Sequence, residues 1–269
     1  MANRVAWVSG ASSGLGAAAA RALVENGWKV VAGARSFSGQ EGETDLGARL
    51  PLDVRNEASV KSFAGRAEAL YGLPDALVNA AGILTLGPAE DTTPEEVLQV
   101  MDTILLGTLR VTRAALPLMR EKGGGKVVML SSVNGLMPTP FQGAYVAAKH
   151  ALEGISECLA LETKGQGIQV MLVEPGDHRG GSDRYRGHAG RVSPLYAERF
   201  RRAADVIRED EARGREPARF GQRLACVLGR KRLPLRLKVT TLKEDLAIVM
   251  HDVLPGRMFL RFLADYYKV

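Results

Sequence analysis

The sequence predicts an α/β fold, a doubly wound parallel sheet of about seven strands with helices on both faces. Short apolar segments alternate along the chain with longer segments of helical pattern. Such an alternation is typical of parallel strands that are joined by crossover helices. A glycine-rich turn connects the first apolar segment to the first helical one. We therefore expect one domain over residues 1–269, and the 46% of hydrophobic residues supplies its core.

The apolar pattern gives the elements in order. Strands are predicted near residues 4–10, 29–34, 48–53, 75–79, 126–131, 168–173 and 236–240. Helices are predicted near residues 15–26, 57–71, 94–121 and 143–164. The link over residues 35–50 is short and contains Gly39, Gly42 and Gly47, so we expect a loop there rather than a helix. Pro117 is expected to kink the third helix or to mark its last turns.

The glycine-rich turn is the first candidate for a ligand site. The strand ends in Ser9-Gly-Ala-Ser-Ser-Gly-Leu-Gly16, which passes directly into an alanine-rich helix. Gly10 permits the turn, Gly14 lets backbone N–H groups approach a pyrophosphate, and the helix N-terminus attracts the phosphates. An ordinary turn is the alternative for a lone glycine pattern, but the strand before and the helix after favour a dinucleotide. The expected contacts from this loop are Gly10, Ser12, Ser13, Gly14, Leu15 and Gly16.

The Gly-x-x-x-Gly-x-Gly spacing resembles that of the short-chain dehydrogenase/reductase family, and further motifs match the family in order. They are Asp53 after an apolar run, Asn79-Ala-Ala-Gly82, Lys126-Val-Val-Met-Leu-Ser-Ser132, Tyr145-Val-Ala-Ala-Lys149 and Val173-Glu-Pro-Gly176. The resemblance implies a Rossmann-type fold and hydride transfer between a nicotinamide cofactor and a carbonyl or alcohol. Further cofactor contacts that it implies are Asp53, Val54, Asn79, Ala80, Ala81, Gly82, Tyr145, Lys149, Pro175 and Gly176.

Three side chains are predicted to carry the chemistry. Tyr145 and Lys149 are four residues apart and share a helix face, where the ammonium favours the phenolate and activates the tyrosine as acid and base. Ser132 precedes Tyr145 by 13 residues, the separation usual in the resembled family, and its hydroxyl is expected to donate to the substrate oxygen. Neighbouring side chains on a strand point to opposite sides, so only one of the two serines should reach the substrate. We choose Ser132 for its spacing and expect Ser131 to be a structural hydroxyl near the cofactor. No metal is expected.

One position departs from the family pattern. The family usually has an asparagine three residues before a glycine in the long helix, where it helps to hold a water molecule in a proton relay. Here that position, counted back from Gly107, is Ile104. Isoleucine has no hydrogen-bonding group, so the relay must use other groups or be less efficient. Thr103 is a candidate substitute, but we expect it to point elsewhere.

The cofactor choice depends on the end of the second strand. An acidic residue there would hydrogen-bond a ribose 2′-hydroxyl, whereas an arginine can pair with a 2′-phosphate. Ala34 occupies the expected place of the acid, and Arg35 follows it. We therefore favour NADP(H) over NAD(H), with the alternative that Arg35 only covers the adenine.

Composition excludes several protein classes. No apolar run approaches the roughly 18 residues of a membrane span, and Met1-Ala-Asn-Arg4 leaves no room for a signal peptide before the first strand. Cys158 and Cys226 are isolated, and the four histidines form no ligand pattern. We expect a cytoplasmic protein that does not bind nucleic acid. By resemblance, helices 94–121 and 143–164 are expected to form a homodimer or homotetramer.

The chain changes character after Gly176. Residues 177–235 are expected to form the substrate loop and cap, in which Ser182 is a candidate to contact the nicotinamide. Residues 179–269 have 21 Lys and Arg against 11 Asp and Glu, whereas residues 1–178 have 15 against 19. Three explanations remain open for this positive charge. They are a substrate anion paired with Arg179, Arg184 or Arg186, anionic membrane lipids near residues 258–263, and a solvated helix over residues 197–208.

The long C-terminal end resembles that of the steroid- and retinoid-type members more than that of carrier-protein reductases. It implies a small-molecule ketone or secondary alcohol of fairly apolar character as the substrate. Two rival functions stay open. One is a nucleotide-binding sensor without useful turnover, which Ile104 favours. The other is a non-redox enzyme on the same fold.

Overall fold

The computed structural model describes residues 4–180 and 186–269. Its strands are β1 (Val5–Ser9), β2 (Lys29–Ala34), β3 (Gly42–Thr44), β4 (Gly47–Pro51), β5 (Ala76–Asn79), β6 (Leu84–Leu86), β7 (Gly125–Leu130), β8 (Ile168–Pro175), β9 (Arg186–His188) and β10 (Arg236–Val239). Its α-helices are α1 (Gly14–Glu25), α2 (Glu57–Tyr71), α3 (Pro94–Met101), α4 (Gly107–Glu121), α5 (Gly143–Glu162), α6 (Pro194–Arg213), α7 (Pro217–Leu228), α8 (Leu242–Val253) and α9 (Gly256–Tyr267). A π-helical turn, Asp102–Leu106, joins α3 to α4.

The main sheet has the order β10-β8-β7-β5-β1-β2-β4-β3. All neighbours in it are parallel except β3, which runs antiparallel to β4. Along β1, Val5 and Trp7 belong to one buried apolar cluster, whereas Ala6 and Val8 belong to another. Both faces of the strand are therefore covered, as is typical of a doubly wound sheet. The predicted fold class is confirmed.

The sheet has eight strands in the described residues rather than about seven. The additional strand, β3, lies in the glycine-containing link that we expected to be a loop. Gly42 and Gly47 adopt φ angles of 140° and 86°, which favour glycine and let the chain turn back onto β4. In place of an α-helix, only a short 3₁₀ turn, Arg35–Phe37, follows β2.

The predicted helix 94–121 is divided into α3, the π-helical turn and α4. Pro117 lies inside α4, four residues before its end, and thus falls in its last turn. Among the helices of the described ranges, none is both long and apolar enough to cross a bilayer.

Strand order reverses beside β1, which pairs with β2 on one side and with β5 on the other. In open α/β sheets, ligands bind in the crevice outside the carboxyl ends of the strands at such a reversal. The loops after β1, β5, β7 and β8 all lead from this edge. The fold therefore brings the predicted motifs to one side of the sheet. A separate two-stranded sheet is formed by β6 and β9.

Candidate active site

A cleft of about 460 Å³ lies at the carboxyl ends of the strands and is bordered by the glycine-rich loop. Gly10 and Gly14 have φ angles of 69° and 55°, in the left-handed region that favours glycine. A Cβ atom at Gly10 would lie 2.6 Å from the backbone of Ala81, so the two loops pack without a side chain between them. The first turn of α1 has no acidic residue, and its residues Gly14, Leu15 and Gly16 border the cleft. These features fit the phosphates of a dinucleotide.

Most of the predicted cofactor residues border this cleft. They are Gly10, Ser12, Ser13, Gly14, Leu15, Gly16, Arg35, Asp53, Val54, Ala80, Ala81, Gly82, Tyr145, Lys149 and Pro175. Asn79 does not border it. Its side chain is buried, and Nδ2 donates to Thr112 Oγ1 of α4 at 2.9 Å. The Asn79 side chain therefore connects the end of β5 to α4 and does not contact the cleft. Gly176 borders a second cavity instead.

Two arginines border the far end of the cleft, where the chain leaves β2 and β4. Arg35 and Arg55 both line it, and Ala34 stands beside Arg35 where an acid would otherwise lie. Arg55 also forms an ion pair with Asp53 at 3.3 Å. Burial would raise the pKa of Asp53, but hydrogen bonds and attraction from Arg55 outweigh it and lower that pKa. We did not predict Arg55, although its place two residues after Asp53 was a usable signal.

The second cavity has a volume of about 530 Å³ and meets the cleft at Tyr145, which borders both. Ser132 lines this second cavity, whereas Ser131 lines the cleft. The opposite placement of these neighbours follows from the alternation of side chains at the end of a strand. Apolar side chains from four elements form much of the wall. They are Leu84, Met137, Ile207, Ala247, Met250, Phe262 and Leu263.

Lys149 is buried between the cleft and the sheet. Its Nζ donates to the carbonyl oxygen of Leu130 at 2.5 Å and lies 5.5 Å from the centre of the Tyr145 ring. Burial lowers the pKa of Lys149 to about 8, although the negative charge of Glu153 acts in the opposite direction. The ammonium and the phenol are thus held together, as their spacing on α5 predicts.

The π-helical turn decides which residue of the long helical segment reaches the cleft. Ile104 is buried in the apolar cluster that contains Trp7. Thr103 borders the cleft instead, and its hydroxyl donates to the carbonyl oxygen of Gln99 at 2.9 Å. The expectation that Thr103 points elsewhere is wrong, because the wider turn changes the helical phase. Such turns occur frequently at functional sites.

The Pro-Gly turn after β8 is held by a residue that we did not predict. The Glu244 carboxylate accepts the backbone N–H of Asp177 at 2.6 Å and that of Thr241 at 2.5 Å. A Cβ atom at Gly176 would overlap this carboxylate. Glu244 lies 68 residues after Gly176 in the chain, so no local spacing could have indicated the contact.

Several carboxylates are among the polar groups that line the second cavity. Asp177, Asp210 and Glu211 line it together with Lys243, and Asp210 pairs with Lys243 at 3.0 Å. Burial and the neighbouring carboxylates Glu244, Asp210 and Glu211 raise the pKa of Asp177 to about 7.

Among the described residues, the arginine that we expected to pair with a substrate anion does not line the second cavity. Arg179 does not border it and pairs with Glu216 at 2.9 Å. Ser182, Arg184 and the side chain of Arg186 lie outside the part of the chain that the structure describes.

Comparison with known proteins places this arrangement in a family. The model of the short chain dehydrogenase family matches residues 4–185. A 3-ketodihydrosphingosine reductase from Bacteroides thetaiotaomicron is 35% identical over 99% of this chain and 98% of its own length. Human 17-beta-hydroxysteroid dehydrogenase type 1 is 37% identical over 65% of this chain and 57% of its own. The crystal structure of a short-chain dehydrogenase from Streptomyces avermitilis superposes with a TM-score of 0.83 at 32% identity, and covers 99% of this chain and 97% of its own. The chain therefore belongs to the short-chain dehydrogenase family of oxidoreductases, with the Rossmann-type nucleotide-binding fold of that family.

Proposed function

We propose that the chain is an NADP(H)-dependent oxidoreductase that interconverts a ketone and a secondary alcohol, with Tyr145 as the acid and base. The observation that carries this proposal is the position of Tyr145 at the junction of two cavities. One cavity has the glycine loop of a dinucleotide site, and the other has Ser132 and an apolar wall. A ketone in the second cavity would therefore lie next to a nicotinamide in the first.

The chain's own residues supply the proton chemistry. Ser132 Oγ accepts the backbone N–H of Asn134 at 3.2 Å, which leaves its own proton free to donate to a substrate oxygen. Tyr145 then gives its proton to that oxygen during reduction, and the nearby Lys149 ammonium stabilises the phenolate that remains. The nicotinamide, when bound, supplies the hydride.

Arg35 and Arg55 support the choice of NADP(H). Both border the end of the cleft that follows β2, and Ala34 presents no carboxylate to repel a phosphate. Guanidinium groups pair well with phosphate through parallel hydrogen bonds. Arg55 is partly engaged by Asp53, so Arg35 is the first candidate to hold the 2′-phosphate.

The second cavity favours an amphiphilic ketone. Its wall is apolar along α8 and α9, whereas Asp177, Asp210 and Glu211 line another part. The 35% identical relative is named for 3-ketodihydrosphingosine, a long-chain amino ketone. An alkyl chain suits the apolar wall, and a protonated amine suits the carboxylates. We therefore propose a long-chain amino ketone as the substrate class.

One observation favours a nucleotide-binding protein without useful turnover as the second candidate. Ile104, at the position usually occupied by the relay asparagine, is fully buried among apolar residues. Under this alternative NADPH would bind without being oxidised by any ketone.

The test follows nicotinamide absorbance with purified protein and NADPH, and then with NADH. The ketones are 3-ketodihydrosphingosine, the same chain without the amino group, and a steroid ketone. We expect oxidation of NADPH that is fastest with the amino ketone and is lost in Tyr145→Phe. Binding of NADPH without turnover on the whole panel would contradict the proposed reaction. Equal rates with and without the amino group would contradict only the substrate class.

A further inference from the structure

A cluster of four charged side chains adjoins the part of α5 that carries Lys149. It consists of Glu153 and Glu157 of α5, Glu174 of β8 and Arg236 of β10, and the arginine donates to all three carboxylates. Glu153 and Glu174 are buried, whereas Glu157 is half-exposed. Apolar side chains in such buried places are often as stabilising as the charges or more so. The buried carboxylates therefore point to a role besides stability.

The alternation of side chains along β8 brings Glu174 into this cluster. Leu172 belongs to the apolar cluster that contains Leu152 of α5, whereas Val173 belongs to the cluster on the other face of the sheet. Glu174 therefore points to the same side as Leu172, towards α5. Arg236 pairs with Leu172 in the sheet and reaches the acids from the neighbouring strand.

Glu153 is the member of the cluster that lies nearest to the active site along α5. It follows Lys149 by four residues, so the two side chains share a helix face. Both are buried, with exposed fractions of 6% and 5%. The structure shows no direct ion pair between these two described residues, and Lys149 Nζ donates to the carbonyl oxygen of Leu130 instead. The carboxylate therefore acts on the ammonium through space, where the buried surroundings screen charges weakly.

One oxygen of the Glu153 carboxylate is not neutralised by the arginine. Oε2 accepts a hydrogen bond from Arg236 at 2.6 Å, whereas Oε1 is buried without a hydrogen-bond partner among the described residues. Ser131 Oγ is buried in the same condition. A Cβ atom added at Gly135 would lie 2.6 Å from Ser131 Oγ and 3.1 Å from Glu153 Oε1, so both oxygens border one small space. The 3₁₀ turn Val133–Gly135 thus packs directly against Glu153.

Glu153 is the charge that opposes the effect of burial on Lys149. Burial lowers the pKa of Lys149 to about 8, and the attraction of Glu153 acts to raise it. The end of β7 meets Lys149 with the Leu130 carbonyl, which does not titrate. Tyr145 shares α5 with Lys149, while Glu174 and Arg236 adjoin Glu153. The other charged groups of the cleft line its far end, and they are Arg35, Asp53 and Arg55.

We propose that Glu153 is a positioning residue for the reaction, whose carboxylate, held by Arg236, keeps the Lys149 ammonium charged beside Tyr145. Glu153 lines neither the cleft nor the second cavity, so it acts only through Lys149. Loss of its negative charge favours the neutral amine, and the support for the Tyr145 phenolate then falls at a given pH. The effect on turnover rests on the proposed function, whereas the effect on the ionisation of Lys149 does not.

The first measurement follows the ionisation of Lys149 in the full chain by NMR, with ¹³C at the lysine Cε atoms. Loss of one signal in Lys149→Arg assigns it, and the wild-type midpoint is expected near pH 8. Glu153→Gln keeps the shape and can still accept a hydrogen bond from Arg236, but the midpoint should fall by about one pH unit because the charge is lost.

Glu157→Gln is the matched control. It removes a carboxylate that the same arginine binds at 2.6 Å, one turn farther along α5. The Lys149 midpoint should stay at its wild-type value in this variant. Glu153→Asp retains the charge, so its midpoint should lie closer to the wild-type value than that of Glu153→Gln. Circular dichroism checks that each variant is folded.

The second measurement is kcat for NADPH oxidation against pH. In Glu153→Gln the alkaline decline should begin about one pH unit lower, with the KM for the ketone within about twofold of wild type. A wild-type protein without turnover on any ketone would contradict the proposed function and leave the NMR titration to decide the role of Glu153.

Three results of the titration would overturn the proposal. They are an unchanged midpoint in Glu153→Gln, an equal shift in Glu157→Gln, and a shift in Glu153→Asp as large as that in Glu153→Gln. If Glu153→Gln does not fold, Glu153→Asp decides the question. A midpoint below that of the wild type would then support the proposal, and a midpoint at or above it would overturn it.

Discussion

The carboxylate of Glu244 occupies the space that a side chain at Gly176 would require. The same carboxylate accepts the N–H of Asp177, the next residue along the turn. A residue at the start of α8 therefore sets the backbone between the two cavities. This contact holds the Pro-Gly turn together with the hydrogen bond from the backbone N–H of Gly176 to the carbonyl oxygen of Val239 at 3.2 Å.

We expect Gly176→Ala to lower kcat/KM by more than tenfold and to destabilise the fold by about 1–3 kcal/mol, because the carboxylate must move and release its backbone partners. The matched control is Gly65→Ala on α2, where an added Cβ meets no atom within 4 Å. That change should stabilise the protein by about 0.5–1 kcal/mol. Urea unfolding and steady-state kinetics measure both. A fully active Gly176→Ala protein would show that the turn does not need glycine.

Ser132 and Ser131 provide an internal comparison of two adjacent hydroxyls. We expect Ser132→Ala to lower kcat by about 10²–10³-fold, because a donor to the substrate oxygen is lost. Ser131→Ala should change kcat by less than about tenfold, since Ser131 lines the cofactor cleft and not the cavity proposed for the ketone. The readout is kcat at saturating NADPH. The reverse order of effects would exchange the roles that we assign.

We expect the rate of reduction to depend on pH in the alkaline range because of Lys149. Burial lowers its pKa to about 8, so the group is an ammonium below that pH and neutral above it. The support for the Tyr145 phenolate is therefore expected to decline as pH rises through about 8. Lys149→Arg keeps a positive charge and should move the decline to higher pH, at reduced kcat. A wild-type rate that stays flat from pH 7 to 10 would refute this role of the charge.

Asp177 should make the KM for an amino ketone depend on pH. Burial and neighbouring carboxylates raise its pKa to about 7, so its charge appears as pH rises through 7. The attraction for a protonated amine grows over the same range, and KM should fall between about pH 6 and 8. Asp177→Asn should abolish the change for the amino ketone. The ketone without the amino group serves as control, and its KM should be insensitive to this substitution.

Arg35 should discriminate between the two nicotinamide cofactors. Arg35→Ala is expected to raise the KM for NADPH by about tenfold or more and to leave that for NADH within about twofold. Ala34→Asp introduces the missing acid and should shift preference towards NADH. Initial rates with both cofactors measure the ratio. Equal losses for NADPH and NADH in Arg35→Ala would support the alternative that Arg35 only covers the adenine.

The parts of the site predicted from the sequence are those that local geometry determines. The glycine loop follows from the strand before it and the helix after it, the shared face of Tyr145 and Lys149 follows from the period of a helix, and the choice of Ser132 rested on its spacing to Tyr145. Asn79 and Glu244 act through partners far along the chain, at Thr112 and Asp177 respectively. Contacts of that kind depend on tertiary packing and leave no spacing to read.

Two features of the fold escaped prediction for a different reason. The π-helical turn over Asp102–Leu106 adds backbone within a helix whose apolar pattern remains regular, so Thr103 and Ile104 exchanged their expected directions. Strand β3 is only three residues long and begins at a glycine, which composition alone marks as a loop. Strand β3 forms through its pairing with β4, because its own residues have little intrinsic preference for a strand.

Strand β3 also determines how the sheet ends. An exposed strand edge is a template on which another chain can add a strand and start aggregation. Here the edge offers only three residues, and its central Glu43 accepts a hydrogen bond from Tyr71 Oη at 2.6 Å. A carboxylate fixed there and so short a ladder leave an incoming strand little to pair with. The hairpin in the glycine-rich link thus gives this edge of the parallel sheet the short, charged form that disfavours strand addition by another chain.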